Sequence, residues 1–110
     1  MAYDEDLAAR LRVALQDRDG VEERRMFGGL AFLVGGNMAV AVSGQGGLMV
    51  RVDPDDTESL LAEQHALPFE MRGRPLDGWL RVDAEGIGTK RELEPWVERG
   101  VAYARSLPPK

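Results

Sequence analysis

The chain has 110 residues, with 14 Lys plus Arg, 19 Asp plus Glu, one His and no Cys. The lack of Cys excludes a disulfide framework, a thiolate metal site and a thiol nucleophile, and a net charge of −5 with pI near 4.9 argues against a dominant nucleic-acid footprint. The length suits a single domain, residues 1–110, with enough core to fold unstapled.

Asp4–Gln16 reads as a helix, because Leu7, Ala8, Leu11, Ala14 and Leu15 fall at helical spacing behind an acidic first turn. Asp17-Arg18-Asp19-Gly20 ends it. Arg24–Phe27 is a faint strand pattern, and Leu30–Val34 a clear one. Gly35-Gly36 marks a two-residue hairpin, since a type I′ turn needs positive φ at both central positions. Asn37–Ser43 returns, Gly44-Gln45-Gly46-Gly47 turns, and Leu48–Val52 completes an antiparallel meander.

Asp53 suits a helix N-cap and Pro54 the first helical position, opening a helix to about Gln64. Phe69–Met71 and Gly78–Val82 read as strands around a loop over Arg72–Asp77. The last helix carries the stripe Leu93, Trp96, Val97, Gly100, Val101, Ala104 and Leu107. Thr89 and Glu92 make a capping-box pattern, but Pro95 would then remove one helical bond. Either the first turn is distorted or the regular helix starts at Pro95. The order α-β-β-β-α-β-β-α predicts an α+β domain built on an antiparallel sheet.

The two faces of the middle strands are both apolar. By simple alternation Leu30, Phe32, Val34, Met38, Val40, Val42, Leu48, Val50 and Val52 form one face, and Ala31, Leu33, Ala39, Ala41 and Met49 the other, where Arg51 also falls. A sheet with one wet face alternates apolar with polar. Helices must therefore cover both faces, or a second subunit covers one. The expectation taken forward is a twofold homodimer with Ala31, Leu33, Ala39, Ala41 and Met49 as its face.

Candidate chemistry is sparse. His65 is the one side chain of the type used for acid–base chemistry near neutrality, but no nucleophile–base motif accompanies it, and a capping or surface role is expected. Asp53, Asp55 and Asp56 lack the alternation and central Gly of a calcium loop. The glycines match no phosphate-binding motif. Arg72 and Arg74, with Arg81, could form a small basic patch beside Trp79. No catalytic residue, metal site or cofactor is expected, and no direct nucleic-acid or membrane binding. The longest apolar run, Leu30–Val34, is too short to span a bilayer, and the acidic start Tyr3-Asp4-Glu5-Asp6 is unlike a signal peptide; a cytoplasmic protein is expected.

The stretch Arg25-Met26-Phe27-Gly28-Gly29-Leu30-Ala31-Phe32-Leu33, with Gly36-Asn37-Met38 after it, resembles the TfoX/Sxy family's N-terminal domain. Leu48-Met49-Val50-Arg51-Val52-Asp53, Pro68-Phe69-Glu70-Met71 and the Trp79 segment extend the resemblance to about Tyr3–Leu107. Met71 and Leu80 depart from it, standing where aromatic residues are expected, and the family's second, C-terminal domain is not in this chain. The resemblance implies a secretion-chaperone-like α+β fold. It also implies a regulatory role, because named members activate competence genes together with a cyclic-AMP-receptor-type transcription regulator. On this reading Arg25, Met26, Phe27, Gly28, Gly29, Gly36 and Met38 are mainly structural. The function expected is a non-enzymatic protein-interaction domain acting through a protein partner. The alternatives are an anion- or small-ligand-binding domain using Arg25, Arg72, Arg74 and Trp79, or an enzyme.

Overall fold

In the computed structural model the described residues are 3–26, 28–44, 46–71 and 73–109, with only the backbone described at Met71. Helix α1 (Glu5–Leu15) starts where the Asp4 side chain accepts a hydrogen bond from the Leu7 N–H. Strands β1 (Val21–Met26), β2 (Gly29–Val34), β3 (Asn37–Val42) and β4 (Leu48–Arg51) follow as a meander. A 3-10 turn (Pro54–Asp56) leads into the short helix α2 (Thr57–Leu61). Hairpin β5 (Ala66–Met71) and β6 (Arg74–Val82), a second 3-10 turn (Ala84–Ile87) and helix α3 (Lys90–Ser106) complete the fold. The sheet has six antiparallel strands in the order β1-β2-β3-β4-β6-β5. The α+β class and antiparallel sheet expected from sequence are present, and the faint Arg24–Phe27 pattern belongs to a full strand, β1.

Local chemistry accounts for most boundaries. Gly35 and Gly36 hold φ of 61° and 85°, as a two-residue hairpin between β2 and β3 requires. The Thr89–Glu92 capping box forms, and Pro95 nevertheless lies inside α3. Arg91, whose carbonyl loses its partner there, is exposed, so water can satisfy it. Two expectations change. Helix α2 stops at Leu61, short of Gln64. The expected loop Arg72–Asp77 is mostly strand, because Met71 pairs with Arg74 and Glu70 with Pro75; Arg72 itself lies outside the described residues.

All three helices pack on one side of the sheet. Leu7, Leu11 and Leu15 of α1, Leu60 and Leu61 of α2, and Leu93, Trp96, Val97 and Val101 of α3 join Leu30, Phe32, Val40, Val42, Leu48, Val50, Leu80 and Val82 in one apolar cluster. A second, smaller cluster occupies the far face: Ala31, Leu33, Met38, Ala41 and Met49, with half-buried Met26, Phe69 and Trp79 packed against them. Ala31 is 1% exposed and Met49 9%, so this cluster is closed over by side chains of the sheet itself. A bare apolar patch, on which the dimer expectation rested, is not what the far face presents.

Ala39 corrects the expected face assignment. Phe32 pairs with Val40 and Leu33 with Met38, which makes Ala39 the extra residue of a β-bulge. The bulge moves Ala39 to the helix side, where it is 0% exposed, and Met38 to the far face. Helix α3 sits on it so closely that a Cβ at Gly100 would overlap the Ala39 carbonyl oxygen.

Candidate functional site

The residues singled out in the sequence do not form one site. Arg25 lies on edge strand β1 opposite Leu30, so its side chain has the helix-side parity. Trp79 pairs with Arg51 across β4 and β6 on the far face, with β2, β3 and β4 between it and β1. Arg74 is exposed at the start of β6, and Arg72 is outside the described residues. The anion site imagined from Arg25, Arg72, Arg74 and Trp79 is therefore not assembled: Arg25 and Trp79 are on opposite faces because side chains alternate along a strand and β1 pairs with β2 without a bulge.

The family-motif residues take turn and packing positions. Met26 pairs with Gly29, so the connection from β1 to β2 is two residues, Phe27 and Gly28, of which Phe27 lies outside the described residues. A Cβ at Gly29 would overlap the Val42 carbonyl oxygen of β3. Met26 and Met38 belong to the far-face cluster.

His65 is engaged at a corner. Its φ is 70°, a conformation that a non-glycine side chain seldom adopts. Its Nδ1 lies 3.0 Å from Asp83 Oδ1, and its carbonyl accepts from the Asp83 N–H. Asp83 Oδ1 also accepts from the Gly86 N–H, capping the second 3-10 turn. The imidazole thus fastens the start of β5 to the turn before α3. Asp53 similarly caps the first 3-10 turn through the Asp55 N–H. Among the described residues no three His, Asp or Glu side chains converge as a metal site.

What Trp79 does meet is Arg51, whose guanidinium carbon lies 5.3 Å from the Trp79 ring centroid and 5.6 Å from that of Tyr103 on α3. Phe69 of β5 continues the row, 6.4 Å from Trp79 in a tilted arrangement. Tyr103, Arg51, Trp79 and Phe69 are all half-buried; Trp79 and Phe69 stand on the far face and Tyr103 on α3, so the row runs past the end of β4 rather than through the interior of either face. A cation between two ring faces gains from both quadrupoles and is held in orientation. Arg81, on the same face opposite Met49, donates from Nη2 to the Gly46 carbonyl, while its Nε is buried without a partner. Sequence reading placed Arg51 on the right face but gave it no role. The signal was a cation inside the apolar strand Leu48-Met49-Val50-Arg51-Val52; the contact with Tyr103, more than fifty residues away, has no local signature.

Among the described residues the resolved electrostatic shifts lie elsewhere. The hydrogen bond from Arg12 holds the Glu23 carboxyl below its ordinary value, and the same bond raises Arg12. That pair links α1 to β1 on the helix side.

Comparison with known families gives one finding: the model of the TfoX N-terminal domain matches residues 13–104. A search of curated proteins gave no match. The match covers nearly the whole chain, from within α1 to the last turn of α3, and includes the β1–β2 turn, the bulged strand and the Arg51–Trp79 pair. The chain belongs to the TfoX N-terminal domain family.

Proposed function

We propose that this domain is a non-catalytic protein-interaction module of transcriptional regulation, related to competence control, which acts through another protein. The observation that carries the reading is the division of the sheet: every helix packs on one side, and from the other side a half-buried row of aromatic rings leads through Arg51 at the end of β4 to Tyr103 of α3. Rims of Trp, Tyr and Arg are the composition that protein contacts favour. Family membership adds the regulatory setting. The use of His65 as a corner fastener, with its Nδ1 committed to Asp83, favours this reading over an enzyme.

The test is a DNA titration in two arms. Alone, the chain should give weak, sequence-blind binding to duplex DNA at physiological salt, because a net charge of −5 offers little phosphate neutralisation. Added to a cyclic-AMP-receptor-type regulator already on its site, it should join the complex. A sub-micromolar, sequence-specific complex with the chain alone, or a turnover activity abolished in His65→Ala, would overturn the proposal.

A further inference from the structure

Arg51 differs from the other arginines that are partly withdrawn from water. Arg10 donates to the Ile87 carbonyl, Arg18 pairs with Glu98, Arg81 donates to the Gly46 carbonyl, and Arg99 pairs with Glu63. Arg51 is half-buried like them, yet among the described residues no oxygen accepts from it; its contacts are the Trp79 and Tyr103 rings. Ring contacts do not replace oxygen acceptors for its five N–H donors. Its nitrogens remain open to water, since among the described residues Arg81 Nε is the buried side-chain nitrogen without a partner, so the guanidinium is free to take an outside acceptor; the complement of a planar guanidinium is a planar carboxylate taken in two parallel hydrogen bonds.

The surroundings say what carries that carboxylate. The row does not end at the cation. It continues from Trp79 to Phe69, and Leu67 on the same edge strand is 44% exposed. Successive members lie 5.6, 5.3 and 6.4 Å apart, so an extended segment of about five residues spans the row at ~3.3 Å per residue. A free oxyanion would use Arg51 alone and leave the rings unused. A segment carrying an acidic residue beside apolar ones uses the whole row, with its charge set against a local cation on an otherwise acidic chain.

We infer that the row Tyr103–Arg51–Trp79–Phe69 is the docking site for an extended acidic-apolar peptide segment of a partner protein, with one carboxylate seated on Arg51. This rests on the interaction-module reading and specifies the partner's chemistry.

The test uses the whole chain, with 15N in arginine and tryptophan side chains, titrated with an alternating Leu-Asp octapeptide and its Leu-Asn counterpart. The Asp peptide should shift the Arg51 Nε–H and Trp79 indole resonances saturably, and the Asn peptide should bind about tenfold or more weakly, as loss of a charge-assisted hydrogen bond implies. Arg51→Met should weaken the Asp peptide by a similar factor, and Arg51→Lys, which keeps charge but not the planar fork, should recover part of it. Should Arg51→Met fail to fold, the Arg51→Lys titration and the wild-type resonances still decide. Equal shifts with both peptides, or no shift at millimolar peptide, overturn the inference. So does displacement of the peptide by equimolar acetate or phosphate, which would mark a small-anion site. Concentration-dependent shifts without peptide, tracking a dimer in sedimentation, would assign the row to a second copy and also overturn it. Peptide binding that maps away from the row contradicts this site while leaving the interaction-module reading intact; sequence-specific DNA binding by the chain alone contradicts that reading and not the row.

Discussion

The two faces of the sheet are both apolar, and they are made so by different means. On the helix side, branched and aromatic residues such as Leu30, Phe32, Val40 and Val50 meet the stripes of three helices, and the contact is close enough that Gly100 of α3 must lack a side chain over Ala39. On the far side, the floor is Ala31, Leu33 and Ala41, and the cover is Met26, Met38, Met49, Phe69 and Trp79 from the strands themselves. Interlocking helices against a sheet fixes geometry, because volume errors of one methylene are felt there. Methionine and rim aromatics cover a floor while remaining able to repack. One face therefore specifies the fold, and the other is covered by side chains that can repack.

The sharpest way to break this contrast is to place a charge beneath α3. Ala39→Glu buries a carboxylate with no cation facing it and should cost about 3–5 kcal/mol or prevent folding, the penalty of an uncompensated buried charge. A soluble, stably folded variant that had merely lost self-association would put Ala39 back on an interface. Smaller in effect, Gly100→Ala should cost about 1–3 kcal/mol as overpacking against the β3 backbone; an unchanged denaturation midpoint would show that α3 floats above the sheet.

His65→Ala tests whether the corner is a fastener. It removes the 3.0 Å side-chain contact with Asp83 and retains the unfavourable φ, so about 1 kcal/mol is expected in a urea melt. A loss of several kcal/mol would mean that the corner organises more than its own turn. The smallest effect concerns acid. Glu23 has its folded-state pKa depressed by Arg12, so the pair contributes above the unfolded carboxylate value and its contribution fades as pH falls through the depressed value. Both partners are substantially exposed, so the increment is small. Glu23→Gln should slightly flatten the acid limb of the stability profile and leave the neutral and alkaline limbs alone.

Much of the fold was legible because its signals are local. Asp4, Thr89 with Glu92, Asp53-Pro54 and Gly35-Gly36 mark ends and turns through their own backbone chemistry. The double-apolar meander was legible too, but what covers each face was not. A β-bulge depends on how β2 and β3 register, so the exchange of Met38 and Ala39 between faces is invisible to two-residue alternation. Strand β5 was read too short at its start, missing Ala66–Pro68, because Pro68 is a poor strand former that the pairing with β6 holds in place. The site was illegible for the same reason: Arg25, Arg74 and Trp79 looked like neighbours in composition, while the real partners of Trp79 are Arg51 of β4 and Phe69 of β5.

The two tryptophans give the most direct test of the division between faces. Trp96 is buried among the helix-side residues, and Trp79 sits half-buried on the far rim against Arg51 and Phe69. In parallel denaturant melts, Trp96→Ala should lose about 3–5 kcal/mol, whereas Trp79→Ala should lose about 1–2 kcal/mol, the range of an ordinary surface-proximal truncation. Equal losses, or a larger loss at Trp79, would contradict the account by making the far face as much a part of the folding core as the face the helices cover.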